Sequence, residues 1–321
     1  MITGYAINAE SYYVPLHLNI VFNSGCDFHR DYPDDPLIVD ILQFARSSTY
    51  KYFLIDMSRV RAIGYIFEKL ENEFLSGSKV LIFYKPSEIL REKLQKDFAA
   101  YFEASTPTAE VLSSSAGIGF FNTVLNAKGN INEDLKSIKI GIVGDLLKSA
   151  ATFKNEYLES SNIFANSYFN VKALFGEISS FKLVIYDLCS NISEHFPHTD
   201  SILCVSNNGA ALSAVIGKML RKPVIYLMNL GPHITLKDAK VIEKISSGEK
   251  FVFVYDFICL GTEFKIARMV ARMRGAEVLG GTGVACHRKV PNVTNHPFME
   301  INTDYDFGYQ VSIYPESEVT K

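Results

Sequence analysis

The sequence predicts an α/β protein with two domains, each built on a mostly parallel sheet flanked by helices. The first observation is that short apolar runs, typical of buried strands, alternate with segments whose apolar residues have helical spacing. The second is a segment rich in Ser, Thr, Ala, Gly and Asn that separates two such regions. We therefore predict domains at 1–104 and 136–321, joined by a linker at 105–135. A chain of 321 residues is long enough for two ordinary domains.

The N-terminal region alternates predicted strands and helices. Its strands are expected at 16–22, 52–57 and 79–84, and its helices at 36–44, 63–75 and 88–98. Gly77 ends the second of these helices. This order implies parallel strands joined by right-handed crossovers. Within the linker, the apolar pattern over 117–125 indicates a short helix.

The C-terminal region repeats the pattern at βα spacing. Strands are expected at 201–205, 223–228, 251–255 and 277–285, with a helix at 207–220. The segment 251–263 predicts a strand, a tight turn at Gly261 and a helix that continues to Arg274. A strand, a glycine turn and a helix N-terminus together form an anion-binding device. Here the carboxylate of Glu263 occupies the position where the anion would bind.

Composition excludes several classes of function. The net charge of −3 argues against a broad nucleic-acid surface. No run of about 18 apolar residues is present, and the N-terminus does not resemble a signal peptide, so we expect no membrane association. The five scattered cysteines lack C-x-x-C spacing and are interpreted as reduced thiols of a cytoplasmic protein. The pair His195 and His198 fits no standard zinc pattern, and no metal site is predicted.

The N-terminal region carries a motif that points to a docking domain. The residues 54–58 (Leu-Ile-Asp-Met-Ser), the helix predicted after them and residues 78–82 (Ser-Lys-Val-Leu-Ile) resemble the STAS domain of anti-sigma-factor antagonists. The resemblance implies protein partners that bind this domain. Regulatory members carry a phosphorylatable Ser or Thr just before that helix, whereas 62–65 here reads Ala-Ile-Gly-Tyr. A generic α/β docking module is an equally open interpretation.

Four segments in the C-terminal region, 158–170, 206–212, 251–263 and 268–278, resemble in order those of type I phosphoribosyltransferases of the orotate branch. The resemblance implies a homodimer and a nucleotide or phosphoribosyl ligand. It places a pyrophosphate loop at Asn207, Asn208, Gly209 and Ala210, and ribose and phosphate contacts at Asp256, Gly261, Thr262 and Glu263. It also places a base pocket at Tyr168, Phe169 and Tyr255, and a mobile loop with His233, Lys237 and Lys240.

Three ligand-binding elements depart from the pattern of active members. The resemblance implies two adjacent acids at the end of the signature strand, which hold ribose and help to organise Mg²⁺, and here these positions are Tyr255 and Asp256. The phosphate loop carries Leu260 and Glu263, and the basic pair of the mobile loop is absent. A carboxylate about 5 Å from a phosphate dianion costs about 5 kcal/mol at an effective dielectric constant near 20. Phosphate affinity would fall by roughly three to four decades.

These departures leave three hypotheses for the function. In the first, the C-terminal domain is a degenerate phosphoribosyltransferase that binds a nucleotide or regulates a partner, without a catalytic residue or a required cofactor. In the second, it is an active orotate-type transferase that uses phosphoribosyl diphosphate and Mg²⁺. In the third, the chain is a docking subunit of a multi-protein bacterial stress or defence system. For Glu263, a simple role in complementing the helix dipole is an alternative to a role in the site.

Overall fold

The chain divides into two compact units, Met1–Lys139 and Ile140–Lys321. A computed structural model describes residues 2–6, 9–62, 80–84, 87–90, 92, 118–121, 125–126, 129–149, 156–158, 163–165, 171–227, 239–258, 261–287, 294–301 and 313–315. Both units have the α/β architecture that the sequence predicts.

The first unit contains a sheet in which the strands follow one another in chain order. The strands are β1 (Tyr5–Ala6), β2 (Ser11–Pro15), β3 (Tyr52–Asp56), β4 (Val80–Tyr84) and β5 (Ile118–Phe121). β1 pairs antiparallel with β2, and every later pair is parallel. Helices α1 (Leu16–Asn23) and α2 (Asp35–Ser47) pack their apolar residues against Phe53 and Ile55 of β3. The strands predicted at 52–57 and 79–84 and the helix predicted at 36–44 are confirmed.

One strand prediction in this unit is wrong. Residues 16–22 form helix α1, and the preceding residues form strand β2. The segment suggested a strand because it is largely apolar, but it forms a helix in which the polar residues His17 and Asn19 are buried as well. Asn19 is accommodated because its amide donates to the carbonyl oxygens of Thr3 and Pro15 at 2.8 and 2.9 Å. The helix is thus buried around most of its circumference, and a short apolar run does not distinguish such a helix from a buried strand.

The segment predicted as a linker contributes to regular structure. Ile118–Phe121 form strand β5 of the first sheet, so the expected helix at 117–125 is corrected to a strand. β6 (Leu125–Asn126) and β7 (Gly129–Asn130) then pair as a small hairpin, and α3 spans Ile131–Ser149. The helix predicted at 63–75 lies outside the described residues, as does most of the one at 88–98.

The second unit is built on a parallel sheet with the strand order β11-β10-β12-β13-β14. The strands are β10 (Ser201–Cys204), β11 (Val224–Tyr226), β12 (Lys250–Ile258), β13 (Glu277–His287) and β14 (Met299–Ile301). A separate antiparallel sheet contains β8 (Glu156–Leu158), β9 (Ile163–Ala165) and β15 (Ile313–Pro315). The helices are α4 (Ala173–Gly176), α5 (Ile178–His195), α6 (Asn207–Leu220), α7 (Ala239–Ile242) and α8 (Thr262–Met273). The strands and helices predicted between 201 and 285 are therefore confirmed.

Helices cover both faces of this sheet. Phe251, Phe253 and Tyr255 point to the face covered by α8, where they pack with Phe264 and Ala267. Successive side chains of a strand point to opposite faces, so Val252, Val254 and Asp256 face the other side. On that other side α6 approaches β12 so closely that a Cβ at Gly209 would lie 3.1 Å from the Val254 carbonyl oxygen. The buried strands read as nearly continuous apolar runs because both of their faces are covered.

Helix α6 ends in a conformation that favours glycine, although the residue there is Arg221. Its φ of 56° and ψ of 40° are left-handed, and the Lys222 N–H donates to the Gly217 carbonyl at 2.9 Å in a Schellman-type cap. Left-handed backbone costs a non-glycine residue about 1 kcal/mol. We therefore predict that Arg221→Gly raises the free energy of unfolding by about 0.5–1 kcal/mol. Chemical denaturation at neutral pH measures this difference, and a lower midpoint for the variant would contradict it.

Candidate functional site

The order of the strands reverses between β10 and β12. After β10 the chain passes through α6 to β11 on one side, whereas β12 lies on the other side of β10. In an open parallel sheet, such a switch point leaves a crevice outside the carboxyl ends of the strands, where ligands bind. Residues 206–208 follow β10, and Asp256 lies near the carboxyl end of β12. The topology therefore places two of the predicted site elements at the same crevice.

Asp256 is held by side chains from the segment that follows β10. The Ser206 hydroxyl donates to Asp256 Oδ1 at 2.9 Å, and the Asn208 amide donates to Asp256 Oδ2 at 2.9 Å. A carboxylate oxygen has about two lone-pair positions, so each oxygen can accept one further hydrogen bond. The half-buried carboxylate is thus fixed in orientation and still able to accept from a ligand.

The predicted pyrophosphate loop is the first turn of a helix. Asn207, Asn208, Gly209 and Ala210 begin α6, because the Ser206 side chain caps the helix by accepting the Gly209 N–H at 2.9 Å. The absence of a Cβ at Gly209 permits the close approach of α6 to β12. Ser206 therefore has two roles, since its hydroxyl accepts at the helix cap and donates to Asp256.

Tyr226, which was not among the predicted site residues, also lies at this edge of the sheet. It is the last residue of β11, and its hydroxyl donates to Asn207 Oδ1. Burial raises the pKa of Tyr226, and the nearby charges of Cys204 and then Glu263 raise it further. One signal in the sequence could have indicated Tyr226. It is a tyrosine near the end of a predicted strand, next to the strand that precedes the predicted pyrophosphate loop.

The turn before α8 confirms the predicted break at Gly261. Gly261 has a φ of 72° and a ψ of 18°, a left-handed conformation that glycine adopts without strain. Helix α8 begins at Thr262, which is half-buried, and Glu263 lies in the first turn, where its charge complements the helix dipole. Because Gly261 has no side chain, it forms no side-chain cap for the first N–H groups of α8. The neighbouring Cys259 and Leu260 lie outside the described residues.

Tyr255 lies in the core of the second unit. It is 1% exposed, and its ring lies over the glycines Gly281 and Gly283 of β13. Its hydroxyl is buried and has no hydrogen-bond partner among the described residues, and burial raises the pKa of Tyr255 well above its usual value. In this structure the ring offers almost no surface to a ligand, in contrast to the base-pocket role predicted for it. The two positions of the predicted acid pair, 255 and 256, thus face opposite sides of the sheet.

The remaining predicted site residues are not brought to the crevice by the described structure. Tyr168 and Phe169 of the base pocket, and His233 and Lys237 of the mobile loop, lie outside the described residues. Lys240 is described as an exposed residue of the short helix α7. The basic part of the predicted site therefore stays a prediction.

Among the described residues, the crevice offers one carboxylate, that of Asp256, as a candidate metal ligand from the predicted acid pair. Mg²⁺ takes oxygen ligands in octahedral geometry. Across the described ranges, no group of three or more His, Cys, Asp or Glu residues could hold a metal ion. Asp256 is the member of the predicted acid pair that faces the crevice, and both of its oxygens already accept hydrogen bonds. A magnesium ion held by one carboxylate together with substrate phosphates needs no such group, so the Mg²⁺ of the active-transferase hypothesis stays a prediction.

Two features outside the crevice bear on other expectations. The rings of His195 and His296 stack with their centroids 3.8 Å apart and an angle of 8° between their planes. Parallel stacked imidazoles cannot both direct a ring nitrogen in plane at one ion, so this pair is not a metal site.

Cys26, Cys189, Cys204 and Cys286 are free thiols. In the part of the chain that the structure covers, no helix is both long and apolar enough to cross a bilayer.

Comparison with known proteins finds similarity to phosphoribosyltransferases. The orotate phosphoribosyltransferase of Aeropyrum pernix is 18% identical with a TM-score of 0.40, over 50% of this chain and 92% of that enzyme. The adenine phosphoribosyltransferase of Rhodothermus marinus is 15% identical with a TM-score of 0.39, over 50% of this chain and 99% of that enzyme. The UMP synthase of Leishmania donovani is 11% identical with a TM-score of 0.40, over 82% of this chain and 74% of that enzyme. No protein-family model matches the sequence.

Proposed function

We propose that the second unit is a phosphoribosyltransferase-like domain that binds a ligand of the nucleotide class without transferring a phosphoribosyl group. The carboxylate of Asp256 carries this proposal. Ser206 and Asn208 orient it at the switch-point crevice and leave it one acceptor position per oxygen. A pair of ribose hydroxyls offers two adjacent donors, which match these positions.

Two observations favour binding without transfer. The position of the second acid is occupied by Tyr255, which points away from Asp256 into the core. Catalysis of phosphoribosyl transfer needs positive charge where the pyrophosphate charge develops, whereas the carboxylate of Asp256 places negative charge at the crevice. The domain is therefore better suited to sensing a ligand than to stabilising a departing anion.

We also propose a regulatory role in which the first unit takes part. It would dock protein partners, as the STAS-like motif suggests, while the second unit reports ligand binding and forms a homodimer in the cytoplasm. Co-purification of the full chain with stoichiometric partner chains tests the docking part. Sedimentation of the purified chain tests the dimer.

Replacing Asp256 tests the ligand site. We expect wild-type protein to bind at least one ribosyl ligand among uridine, adenosine and their 5′-monophosphates, and Asp256→Ala to weaken that binding by at least about 10-fold, or about 1.4 kcal/mol. Isothermal titration calorimetry measures both affinities. Asp200→Ala is a matched control, because Asp200 accepts the Lys250 N–H at the amino end of β12, at the opposite edge of the sheet. Equal affinities of wild type and Asp256→Ala would contradict the proposed ligand site.

A second assay separates binding from catalysis. Wild-type protein is incubated with phosphoribosyl diphosphate, Mg²⁺ and orotate, and released pyrophosphate is measured. We expect no base-dependent release. Release above the level without orotate would establish the active-transferase hypothesis in place of the non-catalytic one.

A further inference from the structure

Two histidines meet where helix α5 ends beside the second sheet. His195 is the last residue of α5 and is exposed, whereas His296 lies half-buried in the segment 294–298 that precedes β14. The two rings are parallel, with their centroids 3.8 Å apart and an angle of 8° between their planes. Phe196 packs edge-on against the His296 ring at 5.5 Å. Both of these ring contacts of His296 therefore come from the C-terminal end of α5.

The backbone of His296 fixes the position of its ring. Its N–H donates to the Gly281 carbonyl of β13 at 2.9 Å. Its own carbonyl accepts from the Thr282 hydroxyl at 2.6 Å and from the Asn191 amide at 3.1 Å. Because these bonds tie His296 both to β13 and to α5, the contact between the two imidazoles joins the segment 294–298 to the rest of the unit.

The surroundings of His296 disfavour its protonated form. If both rings were protonated, two positive charges would lie 3.8 Å apart. Burial lowers the pKa of His296 and the charge of His195 lowers it further, while the carboxylate of Glu194 partly opposes them. The residues of β13 that bond to His296, Gly281 and Thr282, carry no charge. The folded segment therefore binds a proton at this imidazole less readily than an open segment does.

We propose that the stacked pair of His195 and His296 is an acid-sensitive latch, which holds the segment 294–298 on β13 near neutral pH and releases it below about pH 6.5. The stabilisation by the latch is complete above this value and decreases as the pH falls, because protonation of His296 favours the open segment. Release would expose the edge of β13 around Gly281, whose backbone groups would then be available to another strand. The latch would operate whether or not the crevice binds a ligand.

Hydrogen–deuterium exchange of the full chain at several pH values tests the latch. We expect the protection of peptides from 294–301, corrected for the intrinsic pH dependence of amide exchange, to fall at least about 3-fold between pH 7.5 and 5.5. Protection of β10 and β12 should stay constant over this range, since these strands lie inside the sheet. An equal loss in β10, β12 and the segment would show unfolding of the whole unit and would overturn the latch.

His195→Phe keeps a ring for stacking and removes one of the two titrating groups. Its segment should retain wild-type protection at pH 7.5 and lose less of it at pH 5.5, because a phenyl ring does not repel a protonated imidazole. Histidine NMR should show a higher pKa for His296 in this variant than in wild type. His198→Phe is the matched control, since His198 is an exposed histidine just after α5, and it should follow wild type. Constant protection of the segment in wild type, or equal acid losses in wild type and His195→Phe, would overturn the latch.

Discussion

Replacing Gly283 with alanine is expected to destabilise the second unit by about 3–5 kcal/mol. A Cβ at this position would lie 2.2 Å from the Tyr255 carbonyl oxygen and 2.2 Å from Tyr255 Cδ2. The oxygen belongs to the backbone of the paired strand β12 and cannot rotate away, and Tyr255 and Gly283 are direct partners in the parallel register. The methyl group can be accommodated only by separating the two strands. Urea denaturation of the full chain, followed by near-ultraviolet circular dichroism, measures the loss.

A series of glycine variants distinguishes this clash from a general effect of adding a methyl group. At Gly281 the nearest atoms to a Cβ, which include the Phe253 carbonyl oxygen, lie at 3.3 Å, so Gly281→Ala should cost less than Gly283→Ala. At Gly141, within α3, nothing lies within 4 Å. Gly141→Ala should therefore stabilise the chain by about 0.5–1 kcal/mol through helix propensity. Equal losses at Gly283 and Gly281 would contradict the backbone clash as the cause.

The glycine positions also explain why Tyr255 could not be assigned from the sequence. The resemblance implied an acid at this position, and it also assigned the aromatic ring found there to a base pocket. In the fold, the ring needs the bare surface of Gly281 and Gly283 on the neighbouring strand. That requirement is visible only once the register of β12 and β13 is known. The side chain at position 255 packs against Gly281 and Gly283, so an acid introduced there would be buried in the core.

Most elements with strong periodicity were predictable from the sequence, and the failures have physical causes. The apolar runs of the second sheet are long and bounded by turn residues, so β10, β12 and β13 could be located in advance. Helix α1 was missed because His17 and Asn19 are buried polar residues whose partners lie elsewhere in the chain. Strand β5 was missed because a short apolar run fits a helix or a strand equally well.

Part of the candidate site was predictable because the strands that carry it could be located from the sequence. Asp256 lies near the carboxyl end of a strand that could be located, the residues after β10 follow another, and the carboxyl ends of parallel strands meet at one edge of a sheet. Their mutual hydrogen bonds could not be foreseen, since the strand order that makes β10 and β12 neighbours is set by tertiary packing. Tyr226 was missed because its role depends on contact with Asn207 across that edge.

His17 of the first unit is buried, and its surroundings disfavour the protonated imidazole. Its side chain is almost enclosed, with the residue 4% exposed, and we assign the proton to Nε2, which donates to the Arg30 carbonyl at 3.1 Å. Phe28 packs edge-on against the imidazole at 5.4 Å and also contacts the Arg59 guanidinium. Burial first, and then the positive charge of Arg59, lower the pKa of His17 to about 4, although the Arg30 carbonyl, Asp31 and Asp56 partly oppose them.

The first unit is therefore expected to lose stability as the pH falls from about 6.5 to about 4. Between these values the unfolded chain binds a proton at this histidine and the folded chain does not, so protonation favours unfolding. The contribution of His17 is complete above the unfolded pKa, decreases by about 3 kcal/mol towards pH 4 and then levels off.

His17→Gln keeps a donor for the Arg30 carbonyl and removes the titration, so its stability should depend less steeply on pH. Urea midpoints at pH 7, 5.5 and 4.5 measure the difference, with His29→Gln, an exposed histidine of the same unit, as a control that follows wild type. Parallel losses in wild type and His17→Gln would show that carboxyl groups, and not this imidazole, govern the acid sensitivity of the unit.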